Sequence, residues 1–305
     1  MNFPGKKTGF TLSKNGAYLM LAGSALFWSG NFVIGRAFAS DIAPITISYL
    51  RWCCALLVIF PFIIKPVFTE WPVIREHLPF LIFMSAIGVA GFNTFAYLGL
   101  HSTTATNALL INSFIPILII LLSRIMPGAP VSLPGLLGIL ISTCGVILLV
   151  SRGQLENLIA LQINRGDLWI LLAAFVWAVY SIGLRWRPAG LSSMAFLGFT
   201  MITGVIILSP VYWFNWLNEP PFVTSTANMI AIAYVALFAS IGAFIFWNQG
   251  VRVVGAGTAG QFIHLMPVFG TIMAVVFLGE QLYWFHMAGA LAIGSGIALS
   301  LQRSG

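Results

Sequence analysis

The chain has 305 residues, of which 59% are hydrophobic and only 7% are charged. Since soluble domains carry about 25% charged residues, this chain has too few to cover a water-exposed surface, and a soluble globular protein is excluded. The net charge of +7 occurs without a basic run long enough to bind nucleic acid. We therefore expect a protein embedded in a lipid bilayer, with no nucleic-acid partner.

Ten apolar runs follow one another along the chain, each close to the length of about 20 residues that a helix needs to cross a bilayer. They predict an all-α polytopic membrane protein with ten transmembrane helices. The expected spans cover residues 17–38, 43–64, 78–99, 105–125, 133–151, 167–186, 192–214, 228–249, 256–278 and 283–302. The first run has about 22 residues, more than the core of about 7–15 in a signal peptide, so we expect a retained helix.

The basic residues predict the orientation of these helices, because cytoplasmic ends are enriched in Lys and Arg. With the N-terminus in the cytoplasm, ten of the 14 Lys and Arg residues lie at cytoplasmic ends: Lys6, Lys7, Lys14, Lys65, Arg75, Arg124, Arg185, Arg187, Arg252 and Arg303. The outer side holds only Arg36, Arg152 and Arg165, and Arg51 lies within a span. We expect a multi-pass protein of the cell (inner) membrane with both termini in the cytoplasm.

The second half of the sequence repeats the first. From Gly88 onward, a shift of 151 positions pairs these residues without a gap: Gly91 with Gly242, Phe95 with Phe246, Gly99 with Gly250, Ala105 with Ala256, Pro116 with Pro267, Gly138 with Gly289 and Gly145 with Gly296. A shift of 149 pairs Trp28 with Trp177. Chance identity is high in so apolar a chain, but ordered Gly and Pro matches disfavour coincidence.

This repeat predicts two five-helix units, residues 1–151 and 152–305. Because five is an odd number, the second unit enters the membrane in the opposite sense to the first. Inverted repeats of this kind recur in secondary transporters, whose substrate sites lie between the two halves near the bilayer midplane. We therefore expect a transporter that works by alternating access around a central cavity and that functions as a monomer.

Three segments resemble the drug/metabolite transporter superfamily: residues 25–33 (ALFWSGNFV), Pro44 with Leu50-Arg51-Trp52, and Phe277-Leu278-Gly279-Glu280-Gln281. The chain is most similar to the ten-helix EamA-type exporters, and among them to the YddG-type exporters of aromatic and other amino acids. The resemblance implies that spans 1, 3, 4, 6, 8 and 9 surround the cavity. The first half has Gly128-Ala129 where the second has Gly279-Glu280, so we expect Glu280 to brace the turn into the last helix.

Polar and aromatic side chains within the spans are the candidate substrate site, because polar groups in a bilayer need a partner or a cavity. Trp28, Asn31 and Phe32 share one helical face at spacings of three and four residues. The full set of predicted substrate-binding residues is Trp28, Asn31, Phe32, Asn93, Tyr97, Asn107, Asn112, Trp177, Tyr180, Trp247, Asn248, Gln261 and His264. The alternatives are interfacial aromatics and amides that bridge neighbouring helices.

Four further residues have a local interpretation. Pro116 and Pro267 remove a backbone donor and predict hinges or gates. His264 either accepts a proton from a substrate or coupling ion or packs as a neutral, hydrogen-bonded side chain. Arg51 is expected to be structural, paired with Asp41 or a carbonyl, or extended towards the membrane surface.

No Asp or Glu lies near the middle of a predicted span, which disfavours cationic substrates and antiport through a buried carboxylate. An uncharged, aromatic and amide-rich cavity suits an apolar amino acid or a similar neutral or zwitterionic metabolite, which we expect the protein to export.

The alternatives are a multidrug or nucleotide-sugar-like carrier, a channel or an intramembrane enzyme. Since HExxH and GxSxG motifs are absent, we expect no enzyme, catalytic residue, metal or cofactor. The expected partners are a small-molecule substrate and the bilayer.

Overall fold

A computed structural model describes residues 12–125, 133–154, 156, 164–218, 222–278 and 281–301. Within these ranges the regular structure is entirely helical. The helices long and apolar enough to cross a membrane are Lys14–Ala37 (span 1), Pro44–Thr69 (span 2), Leu78–Ser102 (span 3), Ala105–Ile125 (span 4), Leu133–Val150 (span 5), Arg165–Trp186 (span 6), Ser193–Asn218 (span 7), Thr226–Met273 and Trp284–Leu301 (span 10). A short helix, Trp71–Glu76, which was not predicted, joins spans 2 and 3.

The stretch Thr226–Met273 contains two spans. It has 48 residues, which as one straight helix would extend about 72 Å, more than twice the hydrocarbon thickness. Gly255 interrupts it with φ 79° and ψ 159°, a conformation open to glycine because it lacks a Cβ. The interruption separates span 8, residues 226–254, from span 9, which begins at residue 256 and whose helix continues beyond this stretch to Leu278. The ten predicted spans are therefore all found in the described chain.

Spans from opposite halves pack against each other in antiparallel pairs. On span 1, Ser24 Oγ donates to the Ala243 carbonyl at 3.0 Å and Trp28 Nε1 donates to the Ala239 carbonyl at 3.1 Å. Since the positions rise on span 1 while they fall on span 8, these two helices run in opposite directions. Spans 6 and 3, their counterparts in the repeat, contact each other in the same antiparallel manner. The predicted inverted-repeat architecture is confirmed.

Spans 5 and 10 approach each other through glycines. A Cβ on Gly138 would lie 2.3 Å from the Gly296 carbonyl oxygen, and a Cβ on Gly145 would lie 2.7 Å from the Gly289 oxygen. Gly138 is equivalent to Gly289, and Gly145 to Gly296, so the two contacts are images of each other under the repeat. Small residues let membrane helices approach this closely.

The inner spans depart from regular α-helix at equivalent places in the two halves. Span 3 contains a π-helical segment, Ser85–Gly91, and span 8 contains another, Val235–Gly242. Span 4 is interrupted between Asn112 and Ile115, and span 9 contains a 3₁₀ turn, Phe262–His264. These last two irregularities come just before the prolines that were predicted as hinges, Pro116 and Pro267, in helices Ile115–Ile125 and Leu265–Leu278.

Some of the predictions concern residues outside the described ranges. They are the basic residues Lys6, Lys7 and Arg303, the Gly128-Ala129 pair and Gly279-Glu280. The expected role of Glu280 at the turn into span 10 is therefore left as a prediction.

Candidate substrate site

A small cavity of about 10 Å³ lies at the centre of the bundle. Its lining consists of Trp28, Phe32, Phe92, Asn112, Ile115, Trp177, Ile263 and Met266. These residues come from spans 1, 3, 4, 6 and 9, which are five of the six spans that the resemblance placed around a cavity. A volume of this size accommodates about one water molecule, so the site is closed in this structure and an organic substrate requires it to open.

The wall of the cavity is aromatic. The rings of Trp28 and Trp177, which are equivalent in the repeat, meet edge to face with centroids 5.0 Å apart and an interplanar angle of 85°. Trp247 of span 8 packs against both, at 5.3 Å and 5.6 Å, and Phe92 lies 4.5 Å from Trp177. Such tilted contacts suit the quadrupoles of aromatic rings. The two halves therefore meet at a cage of three tryptophans.

Among the described residues that line the cavity, Asn112 is the only amide. Its side chain is 2% exposed, and neither its Oδ1 nor its Nδ2 has a hydrogen-bond partner. A buried donor or acceptor left unpaired costs about 1–3 kcal/mol. Asn112 thus presents one acceptor and one donor nitrogen to the cavity, beside the aromatic cage, without an internal use for either.

Tyr180 and Asn248 form a second layer behind Trp177. The Tyr180 hydroxyl donates to Asn248 Oδ1 at 3.0 Å, and the Tyr180 ring stacks on Trp177 at 5.1 Å. Both side chains are buried, but neither lines the closed cavity. Through the Tyr180 ring, the two side chains support Trp177 of the cage from behind.

Two arginines lie close together where spans 6, 7 and 8 meet, near Tyr180. Arg187 and Arg252 both donate to Ser193 Oγ, at 3.1 Å and 3.5 Å. Burial and, after it, the charge of Arg252 lower the pKa of Arg187. Two guanidinium groups share one hydroxyl here, and the Glu70 carboxylate, which accepts from the Ser192 backbone N–H at 2.6 Å, lies beside them.

Arg51 is the centre of a polar cluster between spans 1, 2, 3 and 8, and its side chain is fully buried. Its Nε donates to Ser240 Oγ at 2.8 Å. Its Nη1 lies 3.0 Å from Asn31 Oδ1, 2.8 Å from Asn93 Oδ1 and 2.8 Å from the Tyr97 hydroxyl. Three predicted substrate-binding residues, Asn31, Asn93 and Tyr97, therefore contact Arg51 and not the closed cavity.

Of the expected environments of Arg51, neither the Asp41 pair nor the extension towards the membrane surface is found, whereas two of its acceptors are amide carbonyl oxygens. Asp41 accepts from the Ser40 hydroxyl at 2.9 Å, and every acceptor of Arg51 is a side chain. The guanidinium points into the bundle, because it finds side-chain acceptors on three neighbouring spans that adjacent positions of the sequence do not reveal.

The His264 side chain connects span 9 to spans 4 and 5. Its Nδ1 lies 2.6 Å from Ser142 Oγ, and its Nε2 lies 2.9 Å from the Ser113 carbonyl oxygen. Because a carbonyl can only accept, Nε2 carries a proton. Ser113 and His264 are equivalent positions in the repeat, at the interruptions of spans 4 and 9. With both ring nitrogens engaged by protein atoms, the geometry favours the packing interpretation of His264.

The remaining predicted residues lie away from the cage. Asn107 Nδ2 is 3.3 Å from Asp167 Oδ1, and Thr103 Oγ1 donates to the same oxygen at 2.5 Å. This buried group ties the connection between spans 3 and 4 to the start of span 6. Gln261 is buried with its Oε1 unpaired, but it does not line the closed cavity.

Sequence reasoning missed the apolar part of the lining: Phe92, Ile115, Ile263 and Met266. Ile115 lies three positions after the polar Asn112, so helical spacing from that residue is the one signal that was available; Phe92, Ile263 and Met266 have no such signal. Apolar residues on this face look the same in sequence as apolar residues that face lipid.

Comparison with known proteins agrees with this architecture. The chain matches the EamA-like transporter family over residues 15–151 and again over residues 164–302. It is 28% identical to the uncharacterized transporter YyaM of Bacillus subtilis, over 92% of each chain. It is 26% identical to an uncharacterized transporter of Archaeoglobus fulgidus, over 94% of this chain and 97% of the relative.

A solved structure shares the fold with a TM-score of 0.74 at 19% identity, and the match covers 94% of this chain and 96% of the other. Since this identity is low, the likeness shows the fold alone. The two family matches, one in each half, are the comparison that identifies the chain. The chain belongs to the EamA-like transporter family and is a multi-pass membrane transporter.

Proposed function

We propose that this transporter exports amino acids with aromatic or other apolar side chains, or similar small neutral or zwitterionic metabolites, as the YddG-type exporters do. The observation that carries the proposal is the unpaired amide of Asn112 beside a tryptophan cage at the junction of the two halves. The cage suits an apolar side chain, and the amide suits the polar groups at the other end of such a molecule. None of the described residues that line the closed cavity is charged.

Transport follows from the inverted architecture. Two similar halves of opposite orientation, assigned to residues 1–151 and 152–305, exchange conformations and open the central site to one side of the membrane at a time. The cavity of about 10 Å³ is too small for such a substrate, so it has to widen in each of the open forms. The protein acts as a monomer in the inner membrane, with both termini in the cytoplasm.

Substrate counterflow in proteoliposomes tests the function. Vesicles loaded with unlabelled phenylalanine are expected to take up labelled phenylalanine faster than empty vesicles, because a loaded carrier reorients with its substrate. Uptake at the same rate in loaded and in empty vesicles would indicate a pore. A panel of labelled amino acids and nucleotide sugars separates the amino-acid assignment from a nucleotide-sugar-like carrier, which is disfavoured because the described part of the lining contains no cation.

The tryptophan cage has a test of its own. Trp177→Leu is expected to lower the ratio of phenylalanine to alanine counterflow about 2- to 10-fold, since an aromatic pair is worth about 0.5–1.5 kcal/mol. Trp213→Leu is the matched control, because Trp213 in span 7 is 61% exposed on the outside of the bundle. If Trp177→Leu and Trp213→Leu keep the same ratio as the parent protein, the cage is not the substrate site.

A further inference from the structure

Arg51 is a cation whose hydrogen-bond partners in the described chain are all neutral. The acceptors around it are one hydroxyl of serine, one of tyrosine and two amide oxygens. Guanidinium groups keep their charge in proteins, and an uncompensated charge in a buried place is strongly unfavourable. An ionisable residue within a membrane span is therefore a candidate functional group, and its partner has to be identified.

One edge of the guanidinium is free. Nε and Nη1 are engaged, whereas Nη2 has no hydrogen-bond partner although it is buried. Two other buried donors close by are also unpaired, Nδ2 of Asn93, which contacts Arg51, and Nε1 of Trp52, whose ring lies 5.4 Å from the Arg51 guanidinium carbon. This surplus of donors calls for a ligand that accepts hydrogen bonds and carries negative charge.

The Arg51 cluster lies directly behind the cavity wall. Asn93 follows the cavity-lining Phe92 in span 3. The Trp52 ring meets Phe244 at 5.0 Å, and Phe244 meets Trp177 at 5.4 Å. Two aromatic rings, Phe244 and Trp177, thus lie between Trp52 and the closed cavity. For the donors to reach a substrate, these rings have to move aside when the cavity opens.

We propose that Nη2 of Arg51 binds the carboxylate of the substrate once the cavity opens. The inference rests on the proposed function and narrows it: the substrates are amino acids and similar zwitterionic metabolites that carry one carboxylate and an apolar or aromatic body. Because Nε and Nη1 are already engaged, the carboxylate contacts the one free nitrogen and does not form a two-nitrogen fork. A single positive charge also suits a singly charged carboxylate better than a phosphate ester.

Four small molecules distinguish binding through the carboxylate from binding through the amine. They are phenylalanine, 3-phenylpropionate, which lacks the amine, and phenylalaninamide and phenethylamine, which lack the carboxylate. Each is tested as an inhibitor of phenylalanine counterflow and as a stabiliser of the purified full chain in thermal unfolding. Phenylalanine and 3-phenylpropionate are expected to inhibit and to stabilise, at least about tenfold more effectively than the amide or the amine.

Variants assign this preference to Arg51. Arg51→Gln is expected to remove the tenfold preference for carboxylates, and Arg51→Lys, which keeps the charge, is expected to retain part of it. Arg36→Gln is the matched control, because Arg36 is also in an inner span but donates to the Leu100 carbonyl. If Arg51→Gln does not fold, the comparison of Arg51→Lys with the parent protein decides the question through the same preference ratio.

The outcomes distinguish this proposal from the proposed function. Counterflow of phenylalanine with equal inhibition by the amide and the carboxylate would overturn the role of Arg51 and leave the function standing. Stabilisation by 3-phenylpropionate that depends on Arg51, without counterflow of any amino acid, would overturn the function and leave the carboxylate site standing. Equal stabilisation by chloride and by 3-phenylpropionate at matched ionic strength would show that Arg51 binds halide, and would also overturn the proposal.

Discussion

Asn112 and His264 are both buried polar residues next to a helix interruption, but their surroundings differ. His264 has both ring nitrogens in contact with Ser142 and Ser113, so its polarity is used inside the protein. Asn112 has no partner for either amide atom and lines the cavity. The first arrangement stabilises the fold, whereas the second leaves hydrogen-bonding capacity for a ligand.

Substitution of Asn112 is expected to separate transport from stability. Asn112→Ala should lower phenylalanine counterflow at least about tenfold, while the unfolding temperature of the ligand-free protein stays unchanged or rises, because the amide has no hydrogen bond to lose. Asn107→Ala is the control: it removes a donor to Asp167 and should lower the unfolding temperature. Equal destabilisation by the two substitutions with counterflow intact would contradict the assignment of Asn112.

At the level of elements, the π-helical segments decide which side chains face the cavity. Each additional residue in such a segment rotates the remainder of the helix relative to the part before it. Ser85–Gly91 precedes Asn93 and Tyr97 in span 3, which turn towards Arg51. Val235–Gly242 precedes Trp247, which turns towards the cage. The π segments thus set which side chains of spans 3 and 8 reach the Arg51 cluster and which reach the cage.

The length of chain over which a signal extends explains which features could be predicted from the sequence. Apolar length and ordered Gly and Pro matches predicted the ten spans and the repeat, because both signals extend over whole helices. The π segments could not be predicted, since a window of about 20 residues averages over one extra residue. The partners of Arg51 could not be predicted either: Asn31 and Ser240 are 20 and 189 positions away in sequence, and only the packing of spans brings them together.

The glycine contact of spans 5 and 10 gives a prediction about stability. Gly138→Ala would place a Cβ 2.3 Å from the Gly296 carbonyl oxygen, so the helices must separate, with an expected loss of about 1–3 kcal/mol. Gly294→Ala in span 10 is the matched control, because nothing lies within 4 Å of the added Cβ and alanine favours helix. Thermal unfolding in detergent measures both variants. A loss for Gly294→Ala as large as that for Gly138→Ala would contradict the contact.

At the scale of the whole molecule, each inner pair of spans combines one helix from each half. Span 1 packs on span 8, and span 6 packs on span 3. Neither half therefore builds a complete wall of the cavity alone. A relative movement of the halves changes both walls together, which suits a site that opens on one side while it closes on the other.

The orientation of the bundle is predicted from its charges and can be measured. In a variant with Cys53, Cys54 and Cys144 replaced by alanine, Ser40→Cys is expected to react with a membrane-impermeant maleimide in intact cells. Glu76→Cys is expected to react only after permeabilisation, because the basic residues place the connection between spans 2 and 3 in the cytoplasm. Both positions are exposed. The opposite labelling pattern would reverse the proposed topology.

The hydrogen bond between His264 and the Ser113 carbonyl has a consequence for this movement. The two residues are images of each other under the repeat, so the pair lies on the pseudo-twofold axis that relates the halves. When two halves exchange conformations about such an axis, residues on the axis stay neighbours, whereas a contact elsewhere, such as Trp28 with Ala239, is converted into a different one. The hydrogen bond itself is unequal, because the His264 side chain meets the Ser113 backbone. Like the Trp28–Trp177 pair, Ser113 and His264 are therefore expected to stay in contact during the proposed exchange, while the atoms that bond them change.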